Sequence, residues 1–257
     1  MITELSYPDG ADAGLPVKAF FTQRSGGVSL APFQSLNVAD HVGDAPTAVQ
    51  RNRGIVSAWA GAHVAFLTAV HGIAVARVTS GDRAAELAPA DVLVTTERGV
   101  ALGAIAADCA PVLLYDGASG GVAAVHCGRE GLYEGVIDAA VTALLDLRAC
   151  DSATGMMAAG IGPTICGRCY EVPLALRERV ATRHPLARSM TRTGTPALDL
   201  PAAIEARLRE LGVGNVVSSG VCTLEDTRYF SHRRDGTTGR HAGVIVCEGA
   251  PGANRIA

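Results

Sequence analysis

Three side chains able to do chemistry stand next to short apolar runs. His71 follows Ala65 to Val70 and precedes Gly72, and Cys109 lies in Ala106-Ala107-Asp108-Cys109-Ala110-Pro111. His126 closes the run Gly121 to Val125 and precedes another glycine. Cys109 and His126 are 17 residues apart (126 − 109), which suits two adjacent strands whose ends meet. The reading therefore places His71, Cys109 and His126 at three strand ends. Two chemistries fit. Zinc takes nitrogen and sulfur ligands tetrahedrally, and three protein ligands leave one position open. Alternatively, a histidine that takes the thiol proton makes the cysteine a nucleophile. Each residue alone has an ordinary reading, as a hydrogen-bonded histidine or a small buried cysteine.

Two polar segments carry anion-binding chemistry. Thr22-Gln23-Arg24-Ser25-Gly26-Gly27-Val28-Ser29 combines an arginine with glycines whose amides can approach an anion. Phe230-Ser231-His232-Arg233-Arg234-Asp235-Gly236, continuing to Arg240, either binds phosphate or forms a solvated hairpin turn at Asp235-Gly236. No P-loop lysine follows the glycines. Cys166-Gly167-Arg168-Cys169 is a single CxxC. It lacks a second pair at zinc-knuckle spacing and is read as incidental rather than as a redox or metal motif.

The elements that must position these residues are short. Strands are expected at Val17 to Thr22, Ala65 to Val70, Ala74 to Thr79, Asp91 to Thr95, Val100 to Ala106, Pro111 to Tyr115, Gly121 to Val125 and Met156 to Ile161. Late strands are expected around Val216-Val217 and Val244 to Val246. Helices are expected from caps at Asp44 and Thr47 to Ala60, along Val136, Ala140, Leu144 and Leu147, over Pro173 to Arg183, and over Pro201 to Leu211 with a stop at Gly212. Strands come in runs rather than alternating with helices. The expected fold is α+β, with mixed β-sheets packed together and helices outside. Without linkers, repeats or low-complexity stretches, residues 1–257 read as a single domain.

Composition narrows the function. Of 257 residues, 48% are hydrophobic and 18% charged, with a net charge of −3 and a pI near 6.2. That is a globular composition without a basic nucleic-acid footprint. No apolar run approaches the roughly 20 residues of a bilayer span. Lys18 is the only lysine, and the abundance of Arg, Ala, Gly and Val throughout reads as a GC-rich codon bias. Met1-Ile2-Thr3-Glu4-Leu5 does not read as a signal peptide. Seven cysteines in no disulfide pattern fit a reducing cytoplasm.

Taken in order, these pieces resemble a known family, the YfiH/YlmD type. Its members carry the names polyphenol oxidase (laccase domain), peptidoglycan editing factor and purine nucleoside phosphorylase. The matching stretches are Phe21 to Ser29, Ser35-Leu36-Asn37, His41-Val42-Gly43-Asp44, Asn52-Arg53, Val70-His71-Gly72, Ala90-Asp91 and Ala107 to Leu113. His126, Gly162-Pro163, Tyr170-Glu171-Val172, Phe230 to Arg234 and Thr238-Gly239-Arg240 follow, so the resemblance covers about residues 17–247 and implies that the core of the single domain lies there. The resemblance implies a metal site at His71, Cys109 and His126, holding zinc (Zn2+) with copper (Cu2+) as the alternative. It implies phosphorolysis of purine nucleosides, with adenosine deamination and methylthioadenosine phosphorolysis as side activities. Asp108 is then the expected acid/base or ligand-orienting residue. Arg24, Gly26, Gly27, Asn37, Arg233, Arg234 and Arg240 are the expected substrate or phosphate contacts. The implied partners are a nucleoside and phosphate, not nucleic acid or membrane.

Three alternatives stand beside this expectation. They are a copper polyphenol oxidase, a cysteine hydrolase acting in peptidoglycan editing, and a non-catalytic partner-binding protein. The chain departs from the family's His-Ala-Gly-Trp-Arg-Gly, reading His126-Cys127-Gly128-Arg129-Glu130-Gly131, and Ala69 replaces a usual glutamine. Charge beside the site is altered, and Cys127 is either packing or a fourth soft ligand.

Overall fold

The computed structural model describes residues 10–82, 87–148 and 154–250. The N-terminal residues read for a signal lie outside them. In chain order the elements are β1 Gly10–Asp12, β2 Ala19–Thr22, α1 Pro46–Ala60, β3 Val64–Phe66, β4 Val75–Arg77, β5 Val92–Thr95, β6 Ala101–Ala106, β7 Ala110–Asp116 and β8 Val122–Cys127. There follow α2 Arg129–Glu134, α3 Val136–Leu145, β9 Met157–Ile161, α4 Leu174–Arg183, β10 Arg188–Met190, β11 Pro196–Leu198, α5 Leu200–Glu210, β12 Asn215–Ser218, α6 His232–Asp235 and β13 His241–Val246.

Two mixed sheets carry the fold. One has the order β1-β2-β13-β6-β3 and the other β12-β9-β7-β8-β5-β4, with a small β10-β11 ribbon apart. The pairs β3–β6, β4–β5 and β9–β12 are parallel and the rest antiparallel. The sheets face each other through β6, β7, β8 and β13. Period-two alternation sorts the side chains. Leu113, Tyr115, Val122 and Ala124 join the core between the sheets, while Val112, Leu114, Ala123, Val125 and Cys127 join the core beneath α3 and α5. Every residue of β6, β7 and β8 is buried, as strands covered on both faces must be. The α+β class with mixed sheets and outer helices is borne out.

Several element boundaries differ from the sequence reading. The first strand begins at Ala19, not Val17, and β3 ends at Phe66, so Leu67 to Val70 is loop. β8 extends through Cys127, which puts His126 inside a strand. The N-cap of α1 is Ala45 with Pro46 in the first turn; the Asp44 carboxylate instead accepts from Ser29 and Asn37. Asp235-Gly236 ends the one-turn helix α6, capped by Ser231, rather than forming a hairpin. The three-residue strands β1, β10 and β11 were too short to show a periodicity.

Candidate metal centre and its cleft

The β7–β8 hairpin sets the site. Its register places Ala110 opposite Cys127 and Pro111 opposite His126. Cys109, in the turn before β7, therefore lies beside the end of β8. On the other side of β8, Val92 pairs with Val125, so the preceding Asp91 comes level with His126. The His126 amide donates to the Asp91 carbonyl at 2.8 Å, and its Nδ1 meets Asp91 Oδ1 at 2.8 Å. Asp91 also accepts from the amides of Val70, His71 and Gly72 at 2.7–3.2 Å. One buried carboxylate thus fixes both histidines.

His71 reaches the site in a left-handed conformation, with φ of 61°. It packs edge-on against His126, with ring centroids 4.8 Å apart. Ligand atoms of His71, Cys109 and His126 all lie within 4.8 Å of one another. Gly128 makes the closeness feasible: a Cβ there would sit 3.0 Å from Cys109 Sγ and 3.2 Å from His71 Cδ2. With Nδ1 of His126 held by Asp91, Nε2 is left for a metal, the usual way a carboxylate orients a ligand histidine. The donor set and its spacing fit a zinc-type ion. The trio does not occupy three strand ends as expected: Cys109 is in a turn, His126 within β8, and His71 in the loop after β3.

Asp108 holds the Cys109 turn. At φ of 91° it accepts from Thr223 Oγ1 at 2.6 Å and from the Arg233 amide at 2.7 Å. Its carbonyl accepts from Thr164 Oγ1 and the Ile165 amide. Strained non-glycine backbone of this kind persists only where the surroundings over-determine it. Burial pushes the Cys109 thiol up, but the charge of His126 and hydrogen bonds from both histidines outweigh it and bring it down to about 6. Burial lowers His126, while Cys109 and Asp91 raise it to about 9. Both shifts run in the same sense, favouring a thiolate on Cys109 and a charged imidazole on His126. Burial would raise Asp91 as well, yet the His126 bond and two amides keep it below the usual carboxylate value.

These residues open on a cleft of about 310 Å³ lined also by His41, Arg129, Tyr170, His232, Arg233 and Arg240. That is the low end of small-molecule pockets, which run roughly 300–1,000 Å³. Three arginines thus face a metal-ligand trio. Arg129 donates to Tyr170 Oη at 3.0 Å, and Arg233 lies over the Tyr170 ring, 5.2 Å from its centroid. Burial and the nearby Arg240 lower the His41 pKa. A larger, more open groove of about 820 Å³ lies between α3 and the edge strand β4 and is lined by no cysteine.

The other expected anion contacts are placed elsewhere. Arg24 stacks 5.0 Å over Phe230 and donates to the Gln34 carbonyl, outside the cleft lining. The Gly27 amide is taken by Ser35 Oγ at 3.1 Å, and Gly26 lies in the same outer loop. Asn37 is buried; its Oδ1 accepts from the amides of Ala39 and Arg240, so it positions Arg240 rather than facing the cleft. Arg234 donates to the carbonyls of Thr223 and Tyr229 and tightens the loop before α6. Of the seven, only Arg233 and Arg240 line the cleft.

Cys127 points to the helix-side core, opposite to His126 across β8, so it is packing and not a fourth ligand. Glu130 accepts from Arg179 at 3.0 Å and from Arg129 at 3.3 Å and lies outside the cleft lining, leaving Arg129 as the departure that faces the site. Asp91, His41, Tyr170 and His232 lie in stretches that match the family but were given no individual role, and Arg129 was read only as altering the charge beside the site. For Asp91 the signals were its place in the matching Ala90-Asp91 pair and at the opening of a strand, 35 residues before His126 (126 − 91).

The geometry defines an α+β protein in which His71, Cys109 and His126 could hold a metal ion beside a cleft lined by three arginines. The sequence profile of the multi-copper polyphenol oxidoreductase laccase family matches residues 18–248, and the chain belongs to that family. It is 48% identical to purine nucleoside phosphorylase SCO2081 of Streptomyces coelicolor over 95% of this chain and 99% of that one. It is 40% identical to purine nucleoside phosphorylase Rv2149c of Mycobacterium tuberculosis over 93% and 96%. Among solved structures it resembles YlmD of Geobacillus stearothermophilus, with a TM-score of 0.84, 30% identity and coverage of 94% and 97%. It also resembles NMB0706 of Neisseria meningitidis, with a TM-score of 0.80, 36% identity and coverage of 93% and 98%. No helix among the described residues is long and apolar enough to cross a membrane.

Proposed function

We propose that the protein is a zinc-dependent purine nucleoside phosphorylase. The observation that carries this reading is the opening of a His71–Cys109–His126 trio and three arginines on one nucleoside-sized cleft. The names of its relatives support it. A phosphate oxygen attacks the anomeric carbon as the bond to the purine nitrogen breaks. The base leaves with a proton and the sugar leaves as its 1-phosphate. Arg233 and Arg240 hold the phosphate, and Arg129 adds charge at the opposite wall. Tyr170 fixes Arg129 and supports Arg233 by its ring. His41, kept neutral near pH 7 by its lowered pKa, hydrogen-bonds substrate rather than binding the anion. Asp108 positions Cys109 and the Arg233 amide, because its carboxylate oxygens already accept two hydrogen bonds. Bound zinc supplies Lewis-acid chemistry and a water of lowered pKa.

A cysteine hydrolase is the second reading, favoured by the Cys109 thiol near pKa 6 beside a protonated His126. A copper oxidase is less well supported. Among the described residues one histidine-bearing group could hold a metal ion, and four-electron reduction of oxygen uses several coppers. The deciding test incubates zinc-loaded protein with inosine or adenosine, with and without phosphate. Phosphate-dependent release of free base, lost in Cys109→Ala, is expected. Phosphate-independent turnover that survives a chelator would replace the phosphorylase with the hydrolase, and inosine formed from adenosine would add deamination.

A further inference from the structure

The CxxC pair read as incidental acquires partners in the folded chain. Cys222 and Glu225, themselves two residues apart in spacing, begin 53 positions after Cys169 (222 − 169) and fold against it. The sulfur atoms of Cys166, Cys169 and Cys222 and a carboxylate oxygen of Glu225 all lie within 4.8 Å of one another. Each half is a tight turn. The amides of Cys169 and Tyr170 donate to the Cys166 carbonyl at 2.9 and 3.0 Å. The amides of Glu225 and Asp226 donate to the Cys222 carbonyl at 3.2 and 2.9 Å. Across the gap the Cys166 amide meets Cys222 Sγ at 3.4 Å, and Cys169 Sγ meets Glu225 Oε1 at 3.3 Å.

We propose that Cys166, Cys169, Cys222 and Glu225 form a second, structural site for a thiophilic divalent cation of the zinc class. Two turns that each offer donors at a two-residue spacing are the protein's usual way of closing a tetrahedron around zinc, and carboxylate is an accepted fourth ligand. Four protein donors leave no open position, so the site is structural rather than catalytic. Charge agrees with a cation. Three thiolates and a carboxylate carry −4, a divalent ion reduces that to −2, and Arg192, paired with Glu225 at 2.5 Å, offsets one more. Cys222 is buried and Glu225 exposed, which leaves an entry path from solvent. A disulfide would use only two of these four converging donors.

The site clamps the loops that build the catalytic cleft. The strand-like bridge between Thr164 and Cys222 joins the same two segments. From them Thr164 and Ile165 hold the Asp108 carbonyl, Thr223 holds its carboxylate, and Tyr170 lies beneath Arg233. An ion here fixes Asp108, and through it Cys109, without touching substrate.

The test uses the full chain carrying Cys109→Ser, which removes a donor of the first centre. Metal analysis after purification is expected to find about one zinc per chain. After chelation, added Co2+ is expected to give an intense thiolate-to-cobalt absorption at one equivalent. Adding Cys166→Ser should abolish both signals. Glu225→Gln, a change at an exposed position, should keep the fold and weaken cobalt binding at least tenfold. A folded Cys109→Ser chain with neither zinc nor the cobalt band overturns the site. So does a thiol count two short before reduction, which would make the pair a disulfide. Because the first centre is disabled throughout, failure of the phosphorylase reading would not alter these outcomes.

Discussion

Cys109 is the residue whose behaviour depends most on its neighbours. An ordinary thiol at pKa about 9 is mostly protonated at neutral pH; here His126 and His71 stabilise the thiolate down to about 6. A depressed pKa keeps the charged form between those two values and loses it as the pH falls below the lower one. In chelated protein, alkylation of Cys109 by iodoacetamide should stay fast from pH 9 to about 6 and slow below it, and added zinc should protect. A labelling midpoint near pH 9 would contradict the assignment. The arginines separate just as cleanly. Arg233→Ala and Arg240→Ala should each raise the phosphate KM about tenfold, a loss of about 1.4 kcal/mol. Arg234→Ala should leave that KM alone and lower Tm, since its guanidinium satisfies loop carbonyls. The sequence shows that this loop is rich in arginine. Which of the adjacent pair faces the cleft depends on α6, a single turn that sequence patterning did not reveal.

Elements place the candidate metal ligands by register. The β7–β8 hairpin brings Cys109 to His126, and the β5–β8 pairing brings Asp91 level with the same histidine. A slip of one residue would send His126 to the helix-side face and Cys127 inward. Gly128 sits where that geometry is tightest. Gly128→Ala should displace Cys109 and His71 and weaken metal binding at least tenfold, with little change in circular dichroism, as isothermal titration with zinc would measure. Unaltered affinity would mean that the ligands adjust freely. Strand alternation in Val122 to Cys127 could be read in advance. The Asp91 partnership could not, because it joins positions 35 apart through a strand pairing that composition does not specify.

At the scale of the whole molecule, one buried titratable group couples the sheet core to pH. His241, at the start of β13, is fully buried and faces Tyr229 edge-on at 5.5 Å. Its Nδ1 has no hydrogen-bond partner among the described residues, and burial lowers its pKa from 6.5 to about 4. The unfolded chain therefore takes up this proton first as the pH falls. Stability from a neutral His241 is full above 6.5 and is lost toward 4, by about 3 kcal/mol at most. His241→Phe should flatten the slope of urea-unfolding stability between pH 6.5 and 4.5. An unchanged slope would assign that acid sensitivity to carboxylates alone.

By itself the sequence determined the α+β class, the strand runs, the helix faces and the three chemically able residues. These are local or periodic features, and burial enforces them wherever one face of an element must be apolar. It also carried the family resemblance, because ordered motifs survive in one dimension. Only the tertiary structure decided what those residues touch. It took Arg24, Gly27, Asn37 and Arg234 out of the cleft into loop support, bonded Asp91 to His126, set Arg129 in the cleft wall, and turned Cys127 away. It also gave an isolated CxxC two more donors. The physical reason is the same in each case. Polar side chains satisfy their hydrogen bonds with whatever backbone or charge the fold brings near, and contacts across 35 to 125 residues leave no periodic trace in the chain.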